Sequence, residues 1–450
     1  MKKIHLNKFL LAGMVCCGIA SLFTSCRFEE DDYFDESASL RVEHAIDQVR
    51  DNLSSAENGW VMQYFCGTGV AHFEGFNLFA KFDKNGKVTI AGNHRFLRDG
   101  NANKYTEANS LYSLLLEDGP VLAFNTWNDV LTPFVDPVAY YAAPNSLVKD
   151  GEGMQGDHNF VVMSNNDNEI ILRGERHSAE VRLVKCDRSW ADYIADTETM
   201  KNSFTNSSIN EYYVINNNND TLYFSGLRNG RFRYTEDLVK GVKLDSLSCV
   251  FTPNGFRTEH TDSIGSCKFH EFKMAEDKTC LKNEDGSVKV IAYWDNYIVN
   301  HKDVWVIDYD VLSTEQKDIF NNINTLLKNF NSALSLASIG IGSSTGTGAV
   351  NGLIVKIYTN SAQTASNTVG LAMSLSRPSF GQMQIIVSPD DPADKKFVSV
   401  AKNIEGFEPL VRSFAATLDG TYQIIPNDYF LPTTAEFNPI NGGTTFKLSK

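Results

Sequence analysis

Residues 76–90 read FNLFAKFDKNGKVTI. Phe76, Leu78, Ala80 and Phe82 recur at every second position, which sets one apolar row along one side of an extended strand. Asn85-Gly86 supplies residues that tolerate positive φ in a tight turn, and Val88 and Ile90 carry the alternation back. A hairpin of this kind needs no crossover helix, so the sheet it begins is antiparallel. Upstream, Val42, Ile46, Val49 and Leu53 repeat at helical spacing. They predict a helix from Asp35, as cap, to Asn58, with Gly59 ending it. Downstream, further strands are predicted near 110–117, 120–125, 158–164, 169–174 and 179–185, with a short helix after Trp127. The result is a meander of about eight strands.

A second helix near 189–201 closes the first half. The run Asn216-Asn217-Asn218-Asn219-Asp220 reads as a loop inside a second hairpin series. Asn229-Gly230, Asn254-Gly255 and Asp285-Gly286 are its turns. The likeness of FAKFDKNGKVTI to CVFTPNGFRTEH suggests two similar meanders. Ser313-Thr314-Glu315-Gln316 is a capping box ahead of an amphipathic helix over 313–335. Gly340–Gly352 reads as a flexible connector. Strands near 353–358, 369–376 and 382–388, a helix near 404–416 and a terminal hairpin complete the chain. The expected class is α+β, mainly antiparallel β, with barrel- or sandwich-like meander domains and a few appended helices. The expected division is 1–25 as signal peptide, 26–35 as anchor and acidic tether, 36–203 as a first domain and 204–450 as a second.

Composition limits the function. The 450 residues are enough for two to four domains at roughly 150 residues each. A mean hydropathy of −0.25 excludes a polytopic membrane protein. The 41 Lys and Arg against 55 Asp and Glu give a net charge of −14, which opposes binding to nucleic-acid phosphates.

The N-terminal residues give an address. Lys2, Lys3 and Lys8 precede the apolar run Phe9–Ala20, too short to span the bilayer but suited to a signal-peptide core. Leu22-Phe23-Thr24-Ser25-Cys26 resembles a bacterial lipobox, which implies acylation at Cys26 and an outer-membrane lipid anchor with chains such as palmitate. Several acyl chains on one residue meet the requirement for stable anchoring. Cleavage before Cys26 removes three lysines and takes the net charge to −17. Glu29, Glu30, Asp31 and Asp32 follow. They resemble the acidic export signal of Bacteroidota lipoproteins, which implies the cell surface; a solvated acidic linker would read the same.

The segment FDESASLRVEHAIDQVRDNLSSAENGWVMQYF at 34–65 resembles the mature start of a Bacteroidota lipoprotein family, domain of unknown function 4302. GFNLFAKFDKNGKVTI, SLYSLLLEDGPVLAFNTWNDVLTPFVDP and the C-terminal LDGTYQIIPNDYFLPTTAEFNPINGGTTFKL extend the likeness over nearly the whole mature chain. The resemblance implies a setting beside starch-utilisation-type importers. It carries no active site to transfer.

Catalytic patterns fail on context. Gly342-Ser343-Ser344-Thr345-Gly346 fits G-x-S-x-G, but no strand–turn–helix surrounds it and no His follows His301. Cys267 and His270 are three apart on a predicted strand and point to opposite faces, so they cannot share a zinc ion. Cys66, Cys186, Cys249, Cys267 and Cys280 are odd in number and read as mostly buried thiols, although an oxidising envelope permits a disulfide among the last three. The Asn and Asp runs lack the spacing of a calcium loop. No cofactor is expected. Asp308 with Asp310, and the cluster Asp390, Asp391 and Asp394, are the carboxylate groupings a surface hydrolase would need.

One run suits binding. In Tyr293-Trp294-Asp295-Asn296-Tyr297, a strand would place Tyr293 and Tyr297 on one face and Trp294 on the other, with Asp and Asn to bond sugar hydroxyls. Trp127, beside Asn125 and Asn128, is a second candidate. The expected function is a non-catalytic surface lipoprotein that binds a glycan or protein partner beside an importer. A carboxylate-pair hydrolase and a structural or adhesive surface protein are the alternatives.

Overall fold

A computed structural model describes residues 37–66, 73–136, 153–205, 209, 211–228, 231–235, 245–300, 303–343, 350–387 and 403–450. Cys26, Glu29, Glu30, Asp31, Asp32, Asp390, Asp391 and Asp394 lie outside them.

Helix α1 (Ala38–Ser55) opens the described chain. Its cap is Ser37 rather than Asp35, because the Ser37 Oγ accepts from the Leu40 N–H at 3.4 Å. Eight strands follow: β1 (Trp60–Phe65), β2 (Phe76–Phe82), β3 (Lys87–Gly92), β4 (Thr106–Leu116), β5 (Pro120–Phe124), β6 (Asn159–Asn166), β7 (Glu169–Gly174) and β8 (Glu180–Lys185). Each pairs antiparallel with the next, and β8 returns to β1, so the meander is a closed barrel. The short helix α2 (Thr132–Val135) lies between β5 and β6. The barrel interior is filled by side chains, among them Trp60, Tyr64, Phe76, Phe124, Phe134 and Phe160. It is a packed core and not a ligand cup.

Helix α3 (Trp190–Thr205) leads to a second closed barrel. Its strands are β9 (Glu211–Asn216), β10 (Thr221–Arg228), β11 (Arg231–Thr235), β12 (Asp245–Thr252), β13 (Gly255–Ile264), β14 (Cys267–Met274), β15 (Leu281–Asn283) and β16 (Val288–Ala292). The two units repeat one plan, a helix followed by an eight-stranded meander. In each, an aromatic residue at the start of the first strand bonds back toward its helix. Trp60 Nε1 donates to the Leu53 carbonyl at 2.9 Å, and Tyr212 Oη to the Ser203 carbonyl at 3.4 Å. The likeness seen in sequence is out of phase with this plan. FAKFDKNGKVTI covers β2–β3, whereas CVFTPNGFRTEH covers β12–β13, the fourth and fifth strands of the second barrel.

After the second barrel come α4 (Trp294–Val299), β17 (Trp305–Ile307), α5 (Thr314–Phe330), β18 (Ser335–Ser343), β19 (Asn351–Tyr358), β20 (Ser366–Ala372), β21 (Ser374–Ser376), β22 (Gln382–Ile386), α6 (Phe407–Ala416), β23 (Gly420–Pro426), β24 (Thr434–Gly442) and β25 (Phe446–Ser449). The strands form one nine-stranded antiparallel sheet in the order β20-β19-β18-β17-β25-β24-β23-β22-β21. Its two edge strands are consecutive in the chain and separated only by Met373, so the sheet rolls round until its edges meet. The expected connector is corrected here. Gly340–Ser343 and Asn351–Gly352 belong to paired strands, in which Gly342 faces Gly352. The predicted capping box forms: the Ser313 Oγ accepts from the Gln316 N–H, and the Gln316 side-chain oxygen Oε1 accepts from the Ser313 N–H. The amide of the fully buried Gln316 also donates to Thr417 and Thr444.

The fold is α+β and mainly antiparallel. Trp60→Ala should lower stability by about 3–5 kcal/mol in a denaturant titration, because the indole is wholly buried. Trp60→Phe, which mainly loses the bond to Leu53, should cost about 1 kcal/mol.

Candidate binding cleft

Period two along β1 turns Trp60, Met62 and Tyr64 into the first barrel and leaves Val61, Gln63 and Phe65 on its outer wall. Val61 and Phe79 pack there against Tyr193 of α3, with Cys186 and Ala91. The second barrel meets the same wall. The Gly75 N–H donates to the Cys249 carbonyl at 3.0 Å, and Asn77 Nδ2 to the Phe251 carbonyl at 2.7 Å. A Cβ on Gly75 would lie 2.5 Å from the Phe65 ring and 2.7 Å from Val250, so only glycine permits this approach. Charged groups continue the seam. Arg182 of β8 bonds Glu169 and reaches across to Glu271 at 2.9 Å. Arg257 lies 5.5 Å from the Phe65 ring centroid and donates through Nε to His270 Nε2 at 2.9 Å. Burial, helped by neighbouring Arg182, pulls the Arg257 guanidinium down to about 10.

A cleft of about 590 Å³ opens beside this seam. Asn77 and Phe79 of β2, the 93–103 loop, Thr197, Glu198 and Lys201 of α3, and Val250 of β12 line it. Arg95 pairs with Glu74 at 3.1 Å on its wall. Asn77 Oδ1 and Thr197 Oγ1 are buried and carry no hydrogen-bond partner, which leaves two polar atoms able to bond a bound group. His94 is held neutral, since burial lowers its pKa to about 4. Its Nε2 bonds the Val130 carbonyl at 2.9 Å, and its Nδ1 accepts from the Phe96 N–H. Burial pushes the Cys249 thiol well above its ordinary value, so it stays protonated at neutral pH. The walls thus offer hydrogen bonds and ring faces, with Glu74 paired to Arg95, the imidazole neutral and Glu198 on α3 at the exposed side.

The predicted aromatic run lies elsewhere. Residues 294–299 form helix α4 and not a strand. Tyr293 and Tyr297 are four apart, a spacing that fits one helix face as well as one strand face. The chain leaves the second barrel at Ala292, and Asp295, fully buried, fixes the turn. Its carboxylate accepts from Arg377 Nε at 2.6 Å and from the Gly381 N–H at 2.8 Å. Trp294 is 2% exposed and packs edge-on against Phe380 and Tyr429. Tyr293 lies under the Arg377 guanidinium, 4.2 Å from its ring centroid. Tyr297 meets Trp305 edge-on, and its Oη accepts from Lys450 Nζ at 2.7 Å. The three rings share no exposed face.

The other singled-out residues are placed as follows. Asp308 is not on a strand face with Asp310: its carboxylate accepts the Asp310 N–H at 3.1 Å and caps a single 3₁₀ turn. Ser344, the nucleophile position of the G-x-S-x-G pattern, lies outside the described residues, and Ser343 before it ends strand β18. Among the described residues Cys66, Cys186, Cys249, Cys267 and Cys280 form no disulfide, and of these five only Cys267 is not buried. Among the described residues no cluster of three or more His, Cys, Asp or Glu could hold a metal ion, and no helix is long and apolar enough to cross a membrane.

A family model described as domain of unknown function (DUF4302) matches residues 30–276, more than half of the chain. The chain belongs to the DUF4302 family. No curated protein matches it significantly. The DUF4302 match takes in α1, the first barrel, α3 and the second barrel through β14, and with them every residue that lines the cleft. Tyr293, Trp294, Tyr297 and the C-terminal sheet lie beyond it.

The first barrel and the seam should be sensitive to acid. His94 and His270 are both lowered from 6.5 to about 4 by burial, with Arg257 adding to the effect on His270. The unfolded chain then binds more protons than the folded one between those values. Stability is full above 6.5 and is lost as pH falls toward 4. Urea midpoints across that window should fall, and His94→Gln should flatten the slope.

Proposed function

We propose that this DUF4302 protein is a lipid-anchored protein of the outer membrane, facing outward, that captures a glycan or protein ligand as a non-catalytic accessory of nutrient uptake. The cleft between the two barrels carries the reading. It is concave, built from two domains and a bridging helix, and lined by aromatic faces with a few fixed polar groups, as ligand sites commonly are. Its titratable groups are arranged for recognition rather than proton transfer: Glu74 is engaged with Arg95, and His94 is neutral and tied to backbone. The address rests on the lipobox at Cys26 and the acidic run Glu29, Glu30, Asp31 and Asp32. A hydrolase would need two unengaged carboxylates facing one gap, and of the two on the cleft walls, Glu74 and Glu198, Glu74 is spent on Arg95. Asp308 is instead committed to its own turn.

Two measurements test this. Intact cells treated with external protease should lose the protein, and Cys26→Ala should release it from the membrane fraction. Protection until the outer membrane is breached overturns the outward address. On a glycan array and in a pull-down from the growth medium, Glu198→Arg, on the exposed side of α3, should reduce the retained ligand about tenfold without moving the melting temperature. Unchanged retention overturns the cleft. Release of reducing sugar or peptide by the purified protein, abolished by an acid-to-amide change, overturns the non-catalytic role.

A further inference from the structure

Trp127 is 52% exposed, whereas Trp60, Trp294 and Trp305 are core residues. A half-exposed indole adds little to folding, yet this one is fixed in place. Its Nε1 donates to the Asp129 carboxylate at 2.6 Å. The Arg98 guanidinium lies over the ring, 5.0 Å from the centroid, and is itself held by Asp136 at 2.7 Å. The chain beneath is clamped by Asn128, which is 2% exposed. Its amide donates to Ser110 Oγ and the Ala108 carbonyl, and its oxygen accepts the N–H groups of Val130 and Leu131. A rigid exposed ring gains affinity, because its freedom is already lost before a ligand arrives.

The surroundings narrow the ligand. Asn125, exposed two residues before Trp127, offers an amide that in the free protein exchanges hydrogen bonds with the half-buried Ser113 hydroxyl, at 3.0 Å as donor. Arg98 is balanced by Asp136, so the Asp129 carboxylate leaves the patch with one negative charge. That disfavours phosphate, sulfate and uronate groups. A flat apolar face with an amide and a carboxylate at its rim matches a pyranose ring, whose C–H face stacks while its hydroxyls bond the rim. We propose that Trp127, backed by Arg98, is a stacking platform for a pyranose unit of a neutral carbohydrate chain. This goes beyond the cleft reading: Trp127 does not line the cleft, and either site can fail alone.

The experiment is a titration of the full chain, followed by tryptophan fluorescence, with maltoheptaose, xylohexaose and mannohexaose in turn, and with a lysine-rich peptide as control. At least one oligosaccharide should give a saturable change. Trp127→Ala should weaken that binding about tenfold, equivalent to about 1.4 kcal/mol, with Trp127→Phe in between, and binding read by calorimetry for both. Neither variant should unfold, because the ring is outside the core. Glu198→Arg should leave this response intact while removing any response that belongs to the cleft. No saturable change with any of the three sugars at millimolar concentration overturns the proposal. A response to the peptide alone, or one that survives Trp127→Ala, overturns it as well.

Discussion

Helix α3 is the part on which the remaining architecture depends. At one end Trp190 and Tyr193 pack on Phe79 of the first barrel's outer wall, with ring centroids 5.6 Å apart in each case. At the other end Phe204, 1% exposed, enters a cluster of rings in the second barrel that includes Tyr212, Phe251 and Phe256. The same ring touches Phe430, in the connection from β23 to β24 of the C-terminal sheet, at 5.5 Å. One helix therefore keys three sheets together through apolar burial, worth about 1.5–3 kcal/mol for each fully buried large side chain. The cleft exists because α3 crosses the seam rather than lying within one barrel.

The two helix-and-barrel units differ where function is proposed. The second barrel passes from β13 to β14 through a tight turn at Gly265 and Ser266. The equivalent connection in the first barrel runs from Asn125 to His158 and contains α2. That insertion carries Trp127, the Asn128 clamp, and Val130, whose carbonyl receives the bond from His94. The 93–103 loop on the other side holds both Arg95, at the cleft, and Arg98, at Trp127. His94 thus ties that insertion to the 93–103 loop. A repeated scaffold keeps its packed interior, and recognition is added outside it.

The hairpins were legible in the sequence because their information is local. Asn85-Gly86, Asn254-Gly255 and Asp285-Gly286 sit between alternating segments, and each lies at the turn it implies. Closure was not legible. The pairing of Trp60 with Lys185, or of Val288 with Asn216, joins strands far apart in the chain, and no local pattern encodes it. The run 293–297 misled because a spacing of four satisfies both periods; the buried Asp295–Arg377 pair, 82 residues apart in sequence, decides for helix. Trp127 was undervalued for a related reason: only the bonds of its neighbour Asn128 show which of the two side chains turns inward. The cleft leaves no motif, since Asn77, Arg95, Thr197 and Val250 come from four separate elements.

Rolling two of the sheets into rings has a further effect. β1 bonds β8 and β9 bonds β16, so the backbone donors and acceptors of both barrels are consumed within the chain. Among the described residues the C-terminal sheet has its ends on β20 and the three-residue β21. An open edge is a template on which a stray extended peptide can add itself by main-chain bonding, and natural proteins shield such edges against aggregation. A chain folded this way offers little of that template. Partners must be read by side chains, so selectivity can be rewritten by surface substitution without disturbing the strands beneath.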